Sequence, residues 1–190
     1  TLDELAQNFS IDGISKSPAV FDYDKLKWFN AEYIRAMEPE QFVHLAMPYF
    51  REVFGDKECD WQVLASILQP RVIQMTQIPE MISFFRELPD YPADFFINKK
   101  SKTTLENSGE MLKEAIAELE QIEDWKLDVI HEALTTLAGR LGVKNGTLLW
   151  PVRIAAAGVQ VTPGGAMEIL TILGKEEALR RLRIGLEKLN

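Results

Sequence analysis

Apolar residues recur at intervals of three and four along most of the chain, and short segments rich in Pro, Gly, Ser and Asp separate these runs. This spacing places the apolar side chains on one face of a helix. Proline in a first turn or a polar cap residue marks the predicted starts, and Gly or Pro marks the ends. The pattern predicts helices over residues 2–9, 24–36, from 39 onward, and over 61–68, 80–87, 104–120, 126–141, 167–173 and 175–189.

Period-two alternation, which would predict a strand, is nearly missing from the sequence. Only the short run at residues 148–150 hints at it. We therefore predict an all-α fold in which helices pack by ridges into grooves rather than as a long coiled coil. In the helix at residues 24–36 the predicted apolar side consists of Leu26, Phe29, Tyr33 and Ile34. Residues 89–103, with two prolines and a lysine pair, are the clearest candidate for a boundary between two parts.

The chain has 190 residues, of which 46% are hydrophobic, so it can bury a core as one domain or two small ones. It has no run of about 18 apolar residues that would cross a membrane. The formal net charge is −8, but residues 101–139 hold three Lys and nine Asp or Glu, whereas residues 140–190 hold eight Lys or Arg and four Glu. A basic end can steer a polyanion whatever the total charge. An incidental basic stretch is the simpler interpretation of charge alone.

Residue types that carry catalysis or bind metals are scarce. The single cysteine, Cys59, fits a reducing cytosol, and with only His44 and His131 it does not predict a zinc site. Both histidines follow apolar residues, and we interpret them as boundary residues, between core and surface, rather than as bases. No glycine-rich phosphate loop or catalytic triad is evident. Carboxylates spaced four apart are typical of a solvated helix face and only rarely of a metal site; these are Glu110, Glu114 and Glu118.

Three segments have features that suit nucleic acid. Small residues and glycines at 144–158 let the backbone approach a partner closely. Arg153, in the same segment, could stack on a base or bind its edge. The loop at 162–165 offers backbone donors ahead of a helix, whose N-terminus attracts phosphate. A tight packing corner between two helices explains the same pattern equally well. Arg71 follows a helix stop, and its spacing alone predicts an exposed or capping residue.

Two stretches resemble bacterial glutamyl-tRNA synthetases, which are class I enzymes. The first reads SKSPAVFD at residues 15–22 and KLxWxNxxYIR at residues 25–35, and it is similar to the segment that follows the catalytic domain in that family. The second reads PxRxA at residues 151–155, TP at residues 162–163 and EILxxLGKE at residues 168–176, and it is similar to the C-terminal signature. The two matches have the family's order and separation, and together they bracket nearly the whole chain.

The resemblance implies an all-helical anticodon-binding part in two lobes, at residues 37–90 and 91–190, preceded by the end of a stem-contact region at residues 1–36. It implies glutamate tRNA as the partner, with no DNA and no membrane, and a monomeric cytoplasmic parent enzyme that joins glutamate to this tRNA. ATP and magnesium would bind a catalytic domain ahead of this chain. Within the chain we expect no catalytic residue, metal or cofactor.

The resemblance also implies roles for particular residues. Arg71 matches the arginine that contacts the third anticodon base, a cytosine whose carbonyl and ring nitrogen suit an arginine's donors. Arg153 matches an arginine near the first two bases, and Thr162 and Pro163 match a loop at the same place. Gly165 departs from the larger apolar residue common in the family, and Gln69 departs from an arginine found in some members. Predicted contacts to the tRNA backbone are Lys16, Ser17, Lys144, Arg180 and Arg183.

One lysine resembles a catalytic residue in its sequence context. Lys16 lies between two serines, as in the signature loop that holds a lysine against ATP phosphates in class I synthetases. That loop works beside a nucleotide-binding domain, for which the 13 residues ahead of the loop leave no room, so we expect Lys16 at most to contact an RNA phosphate.

A helical protein-interaction module without RNA binding stays open as an alternative, and it predicts no salt-dependent binding of RNA. The sequence also leaves open whether the parent enzyme charges glutamate tRNA alone or glutamine tRNA as well. By the resemblance, Arg71 favours stricter selection of the third base.

Overall fold

Helices are the regular elements of this chain, as the spacing of its apolar residues predicts. The computed structural model describes residues 2–13 and 20–189, and no strand occurs among them. The α-helices are α1 (Leu2–Asn8), α2 (Tyr23–Arg35), α3 (Pro39–Phe54), α4 (Trp61–Leu68), α5 (Ile78–Met81), α6 (Leu105–Glu120), α7 (Leu127–Arg140), α8 (Asn145–Ala157), α9 (Ala166–Leu173) and α10 (Lys175–Glu187). Single 3-10 turns lie at Ile11–Gly13, Met75–Gln77, Ser83–Phe85 and Ala93–Phe96. The all-α prediction is confirmed.

Polar residues and proline set the starts of several helices. Asp22 and Asp60 each accept hydrogen bonds from backbone N–H groups in the first turns of α2 and α4. Thr104 and Asn107 form a capping box at the start of α6. Pro39 occupies the first turn of α3, where its missing N–H is not needed. These local signals explain why the predicted boundaries of α4 agree with the structure.

Helix α8 corrects the sequence-based interpretation of residues 145–157. The pattern there predicts no helix, with a packing corner between two helices as one interpretation and a hint of strand at 148–150, whereas these residues are helical throughout. Pro151 lies inside the helix, and most of the surrounding residues are buried. A helix that is apolar nearly all round has no polar face, so it lacks the periodic pattern that marks the other helices.

The prediction for residues 80–87 is wrong in part. Helix α5 ends at Met81, and Ile82 leaves the helical region with φ −118° and ψ 12°. A 3-10 turn then buries Phe84 and Phe85 side by side.

The predicted apolar side of α2 is mostly exposed among the described residues. Of the four side chains assigned to it, only Ile34 is buried, whereas Leu26, Phe29 and Tyr33 expose 51%, 44% and 72% of their surface. Helix α1 buries no residue. Apolar periodicity therefore predicts the helix α2 but not what covers it.

Helix α8 is the centre of a group of five helices, because α6, α7, α9 and α10 all pack against it. We call α6–α10 the second helical group. The first helical group consists of α3, α4 and α5, with the 3-10 turns at 75–77 and 83–85. Helix α4 packs against α9 and joins the two groups, and the buried residues form one cluster from Ile34 to Leu182. In the described part of the chain, every helix is too short or too polar to cross a membrane.

The acidic and basic segments of the sequence meet in space. Arg140 of α7 and Arg183 of α10 form ion pairs with Glu118 and Glu120 of α6. Lys175 donates hydrogen bonds to the carbonyl oxygens of Glu120 and Ile122. Much of the basic C-terminal charge is therefore compensated inside the fold, and it is not a free surface for a polyanion.

The largest fully buried side chain in the described residues is that of Arg181 on α10, which is 1% exposed. Its Nε donates to a carboxylate oxygen of Glu177 at 2.6 Å, and its Nη atoms donate to backbone carbonyls. Arg180 also donates two hydrogen bonds to Glu177. Hydrogen bonds from Arg180 and then Arg181 lower the pKa of the Glu177 carboxyl to about 2.

Glu177→Gln is expected to lower the free energy of unfolding by about 1–2 kcal/mol at pH 7 and to have almost no effect at pH 2. A carboxylate whose pKa falls on folding stabilises the native state above its unfolded pKa of about 4.3, and this contribution is lost as the pH falls towards 2. The expected loss is below the full shift because a third of the Glu177 side chain is exposed. Urea unfolding at a series of pH values measures it, and an equal effect at pH 7 and pH 2 would contradict the assignment.

Candidate nucleic-acid interface

A hydrogen-bond network joins Arg153 of α8 to the loop that precedes α9. Nη1 of Arg153 donates to Oγ1 of Thr162 at 2.8 Å, and Nη2 donates to the carbonyl oxygen of Gln160 at 3.0 Å. Oγ1 of Thr162 in turn donates to the carbonyl oxygen of Gly164 at 2.7 Å. The structure therefore brings together two predicted site residues, Arg153 and Thr162, and we call the segment 160–165 the Arg153 loop.

Trp150 is a part of this site that the sequence-based interpretation misses. The guanidinium carbon of Arg153 lies 4.6 Å from the centre of the Trp150 ring, and Nε1 of Trp150 donates to the carbonyl oxygen of Phe95 at 3.0 Å. The hydrogen bond fixes the orientation of the indole ring, and the ring face forms a cation–π contact with the guanidinium of Arg153. Positions 150 and 153 are one helical turn apart, so the pair would be evident once residues 145–157 are recognised as a helix.

Arg153 is half-buried, and burial lowers the pKa of its guanidinium. Arginine nevertheless keeps its charge across the physiological range because its pKa starts above 12. Two of its donors and one of its faces are occupied within the protein, so the side chain is held in one orientation before any partner binds.

The rest of the Arg153 loop leads directly into α9. Pro163 is buried, whereas Gly165 is exposed and stands at the cap position of α9 with no side-chain cap. A Cβ atom at Gly165 would lie 2.9 Å from Oε2 of Glu168, which is the acidic residue in the first turn of α9. This carboxylate offsets the positive end of the helix, so the N-terminus of α9 is a weaker phosphate site than its position suggests.

Arg71 and the Arg153 loop share one neighbour, Ile67. Nη1 of the exposed Arg71 donates to the carbonyl oxygen of Ile67 at 2.9 Å, near the end of α4. On the loop side, a Cβ atom at Gly164 would lie 3.0 Å from the Ile67 side chain. The bare backbone of Gly164 therefore packs directly on α4, and the two predicted base-contacting segments meet at this helix.

Arg71 also lines a groove between α2 and residues 71–73, with a volume of about 430 Å³. The other lining side chains include Lys27, Trp28, Arg35 and Ile73. Asp24 also lines the groove and pairs with Lys27, and Arg35 pairs with Glu32, so Arg71 is the cation in this lining without a carboxylate partner in the described residues. An arginine beside an exposed indole suits nucleic acid, since bases stack on aromatic rings and phosphates attract cations.

Gln69 has a defined role inside the fold. Its Nε2 donates to the carbonyl oxygens of Ile34 and Met37 at 3.0 and 2.8 Å, at the C-terminal end of α2. Gln69 thus anchors the end of α2 to the end of α4. This contact holds α2 beside Arg71, with which it lines a groove.

Among the described residues, the predicted backbone contacts Lys144, Arg180 and Arg183 form no part of the Arg153 network. Lys144 is exposed at the N-terminal cap of α8, about 13 Å along the helix from Arg153 at 1.5 Å per residue. Arg180 and Arg183 are exposed, but each already forms an ion pair, with Glu177 and Glu120. Lys16 and Ser17 lie outside the described residues.

The described residues contain no group of three or more His, Cys, Asp or Glu that could hold a metal ion. His44 and His131 are exposed on α3 and α7, and the predicted carboxylate ridge lies along α6, where Glu118 pairs with Arg140. Cys59 is half-buried, and burial, followed by the charges of Asp60 and Glu58, raises the pKa of its thiol to about 12. A thiol that stays protonated is a poor nucleophile.

One protein family matches most of this fold. The family model described as "Anticodon binding domain" matches residues 41–186, which cover nearly all of both helical groups and the Arg153 loop. The chain belongs to this family.

The relatives place the chain more narrowly. It is 46% identical over its whole length to a glutamate–tRNA ligase of Clostridium tetani and 45% identical to one of Clostridium botulinum, and it spans 38% and 39% of their lengths, respectively. The matched region is the C-terminal part of these ligases. Among solved structures, a glutamate tRNA ligase from Elizabethkingia meningosepticum matches with a TM-score of 0.83 at 22% identity, over 100% of this chain and 37% of that one. One from Elizabethkingia anophelis matches with a TM-score of 0.78 at 23% identity, over 98% and 36%. At these identities the structural matches establish the fold alone.

Proposed function

We propose that the chain binds the anticodon of glutamate tRNA as the C-terminal part of a glutamate–tRNA ligase. The observation that carries the proposal is the pre-formed Arg153 network beside Arg71, on a domain whose family binds anticodons. In single-stranded RNA loops the bases are splayed out, and proteins recognise them by their edges and by stacking.

Arg71 would recognise the third anticodon base, a cytosine. One of its donors is bound to the Ile67 carbonyl, and the rest of its exposed guanidinium is available to the carbonyl and ring-nitrogen acceptors of a cytosine. Trp28, in the same groove, offers a face for stacking. Lys27 and Arg35 could bind the neighbouring phosphates only if these displace their present carboxylate partners, Asp24 and Glu32.

Arg153 and its loop would bind the first two bases. Because Thr162, Gln160 and Trp150 hold the guanidinium in place, binding would cost little side-chain entropy. Pro163 is buried and would stiffen the loop from inside the fold, whereas Gly165 has no side chain to contact a base, and Oε2 of Glu168 lies beside it. Lys16, Ser17, Lys144, Arg180 and Arg183 remain candidates for backbone contacts, the last two only if RNA phosphates displace their present carboxylate partners.

The parent enzyme in this proposal ligates glutamate to its tRNA, with ATP and magnesium bound in the part of the ligases that this chain does not span. The proposal includes a cytoplasmic, monomeric enzyme, and three units at residues 1–36, 37–90 and 91–190. Arg71 favours an enzyme that selects glutamate tRNA over glutamine tRNA.

A titration with two RNA transcripts tests the function. The chain is expected to bind a glutamate tRNA transcript more tightly than one changed only at the third anticodon base. Affinity for both should fall as salt rises, with a log–log slope of about 0.7 for each phosphate contact. Equal, salt-sensitive binding would indicate a tRNA-backbone module without base selection. No binding at low salt, also after the chain is joined to a relative's N-terminal part, would favour the protein-interaction alternative.

A further inference from the structure

Three backbone carbonyls from two distant parts of the chain converge on the buried guanidinium of Arg181. Nη1 donates to the carbonyl oxygens of Phe84 at 2.7 Å and Ala156 at 3.0 Å, and Nη2 donates to that of Phe85 at 3.3 Å. Glu177, one turn earlier on α10, accepts from Nε and balances the charge. One side chain on α10 thus bridges the two helical groups.

Each bridged segment belongs to the part of the fold that holds one of the proposed base-contacting residues. Phe84 and Phe85 belong to the 3-10 turn that packs against α3, in the first helical group, from which Arg71 projects. Ala156 lies in the last turn of α8, three residues after Arg153 and shortly before the Arg153 loop. Arg181 therefore connects the first helical group, which holds Arg71, to the end of α8, the helix that holds Arg153.

Close backbone packing at two glycines restricts movement between the end of α8 and its neighbours. At Gly158, which ends α8 with φ +67°, a Cβ atom would lie 2.9 Å from Pro89 and 3.1 Å from Leu88. At Gly185, one turn beyond Arg181 on α10, a Cβ atom would lie 2.6 Å from Ala155 of α8. The end of α8 is consequently held against both α10 and the segment after the 3-10 turn.

We infer that Arg181 is a positioning residue, which fixes the separation of Arg71 and Arg153 so that neighbouring anticodon bases are bound together rather than independently. The inference rests on the proposed function. Two contacts on a rigid frame favour each other, because the first to form brings the second base to its partner at high effective concentration. If the separation of Arg71 and Arg153 varies, each arginine must order its own base, and the gain in affinity from binding both bases together is lost.

An apolar side chain could fill this space, and replacing a buried charge with a packed apolar residue often keeps a protein folded. Such a residue could not hold three carbonyls in fixed directions, since hydrogen bonds are directional and apolar contacts are not. Coupling between the two contacts therefore separates a positioning role from a role in packing alone.

The experiment is a double-mutant cycle in the full 190-residue chain, with affinity for a glutamate tRNA transcript as the readout. Arg71→Ala, Arg153→Ala and the double variant are compared in the parent, in Arg181→Met and in Arg181→Lys. In the parent, the double variant should lose about five- to tenfold less affinity than the product of the single losses. This factor should fall below about twofold in Arg181→Met, and Arg181→Lys, which keeps the charge and some donors, should lie between.

The matched control is Arg140→Met, which removes an arginine bridge between α7 and α6 inside the second helical group. It should leave the coupling at the parent value. Circular dichroism and thermal unfolding identify folded variants. If Arg181→Met does not fold, Arg181→Lys decides, and its coupling should be clearly below the parent value. Coupling that persists in folded Arg181 variants, or is missing in the parent, overturns the inference while base-selective binding keeps the proposed function. Loss of selective binding in the parent itself overturns the proposed function.

Discussion

Arg71→Ala is expected to reduce the preference for a cytosine at the third anticodon position by about 5- to 150-fold, which corresponds to about 1–3 kcal/mol for one good contact to a base edge. The alanine removes every donor that faces the base, while the backbone around position 71 keeps its place through hydrogen bonds to Leu68. Fluorescence titration of the parent and the variant, each with the cognate transcript and the transcript changed at the third base, measures the ratio.

Two matched variants distinguish base recognition from charge. Arg71→Lys keeps the positive charge but not the planar fork of donors, so it should lose most of the preference while keeping much of the overall affinity. Arg86→Ala removes another exposed arginine of the first helical group, whose guanidinium donates to the carbonyl of Glu52, and it should change both affinities equally. If Arg71→Ala also weakens both transcripts equally, Arg71 binds the RNA backbone and does not select a base.

Gly158→Ala is expected to lower the free energy of unfolding by about 2–5 kcal/mol. The residue adopts φ +67°, and forcing an L-residue into this region costs about 1–2 kcal/mol. Its new methyl group would also overlap Pro89 and Leu88, and overpacking of this kind adds about 1–3 kcal/mol. Chemical denaturation of the parent and the variant gives the difference.

Gly142 provides the control that separates these two contributions. It has nearly the same backbone conformation, φ +68°, but no atom lies within 4 Å of a Cβ built there. Gly142→Ala should therefore show only the backbone contribution, about 1–2 kcal/mol. Equal losses for the two variants would mean that Pro89 and Leu88 move aside freely, and that the end of α8 is less constrained than its packing indicates.

Local signals in the sequence predict much of this fold, and they do so where one stretch of chain decides its own conformation. The apolar run at residues 61–68 and the stop at residues 69–70 predict α4, and Gly174 marks the junction between α9 and α10. The sequence does not predict helix α8, because no local signal decides its conformation. Its conformation depends on four surrounding helices that bury it on nearly all sides, and neither Gly146 nor Pro151 suggests a helix.

The residues of the candidate site also differ in whether a local signal marks them in the sequence. Arg153 and Thr162 are nine residues apart, and the small residues and glycines between and around them mark this segment in the sequence itself. Arg71 has no local signal that marks it as a base-contacting residue, and only the family resemblance predicts that role. Arg181 could not be found from the sequence, because the carbonyls it binds in the first helical group are 96 and 97 positions away. Spacing along a chain carries no information about contacts of that range.

The protonated, half-buried thiol of Cys59 has a practical consequence. Its pKa of about 12 means that almost none of it is thiolate at pH 7, and thiolate is the form that maleimide reagents modify. A cysteine introduced at the exposed position Gln160 would therefore be labelled selectively, with the native cysteine left in place. A fluorophore there would lie on the Arg153 loop and report RNA binding in real time, without a cysteine-free background.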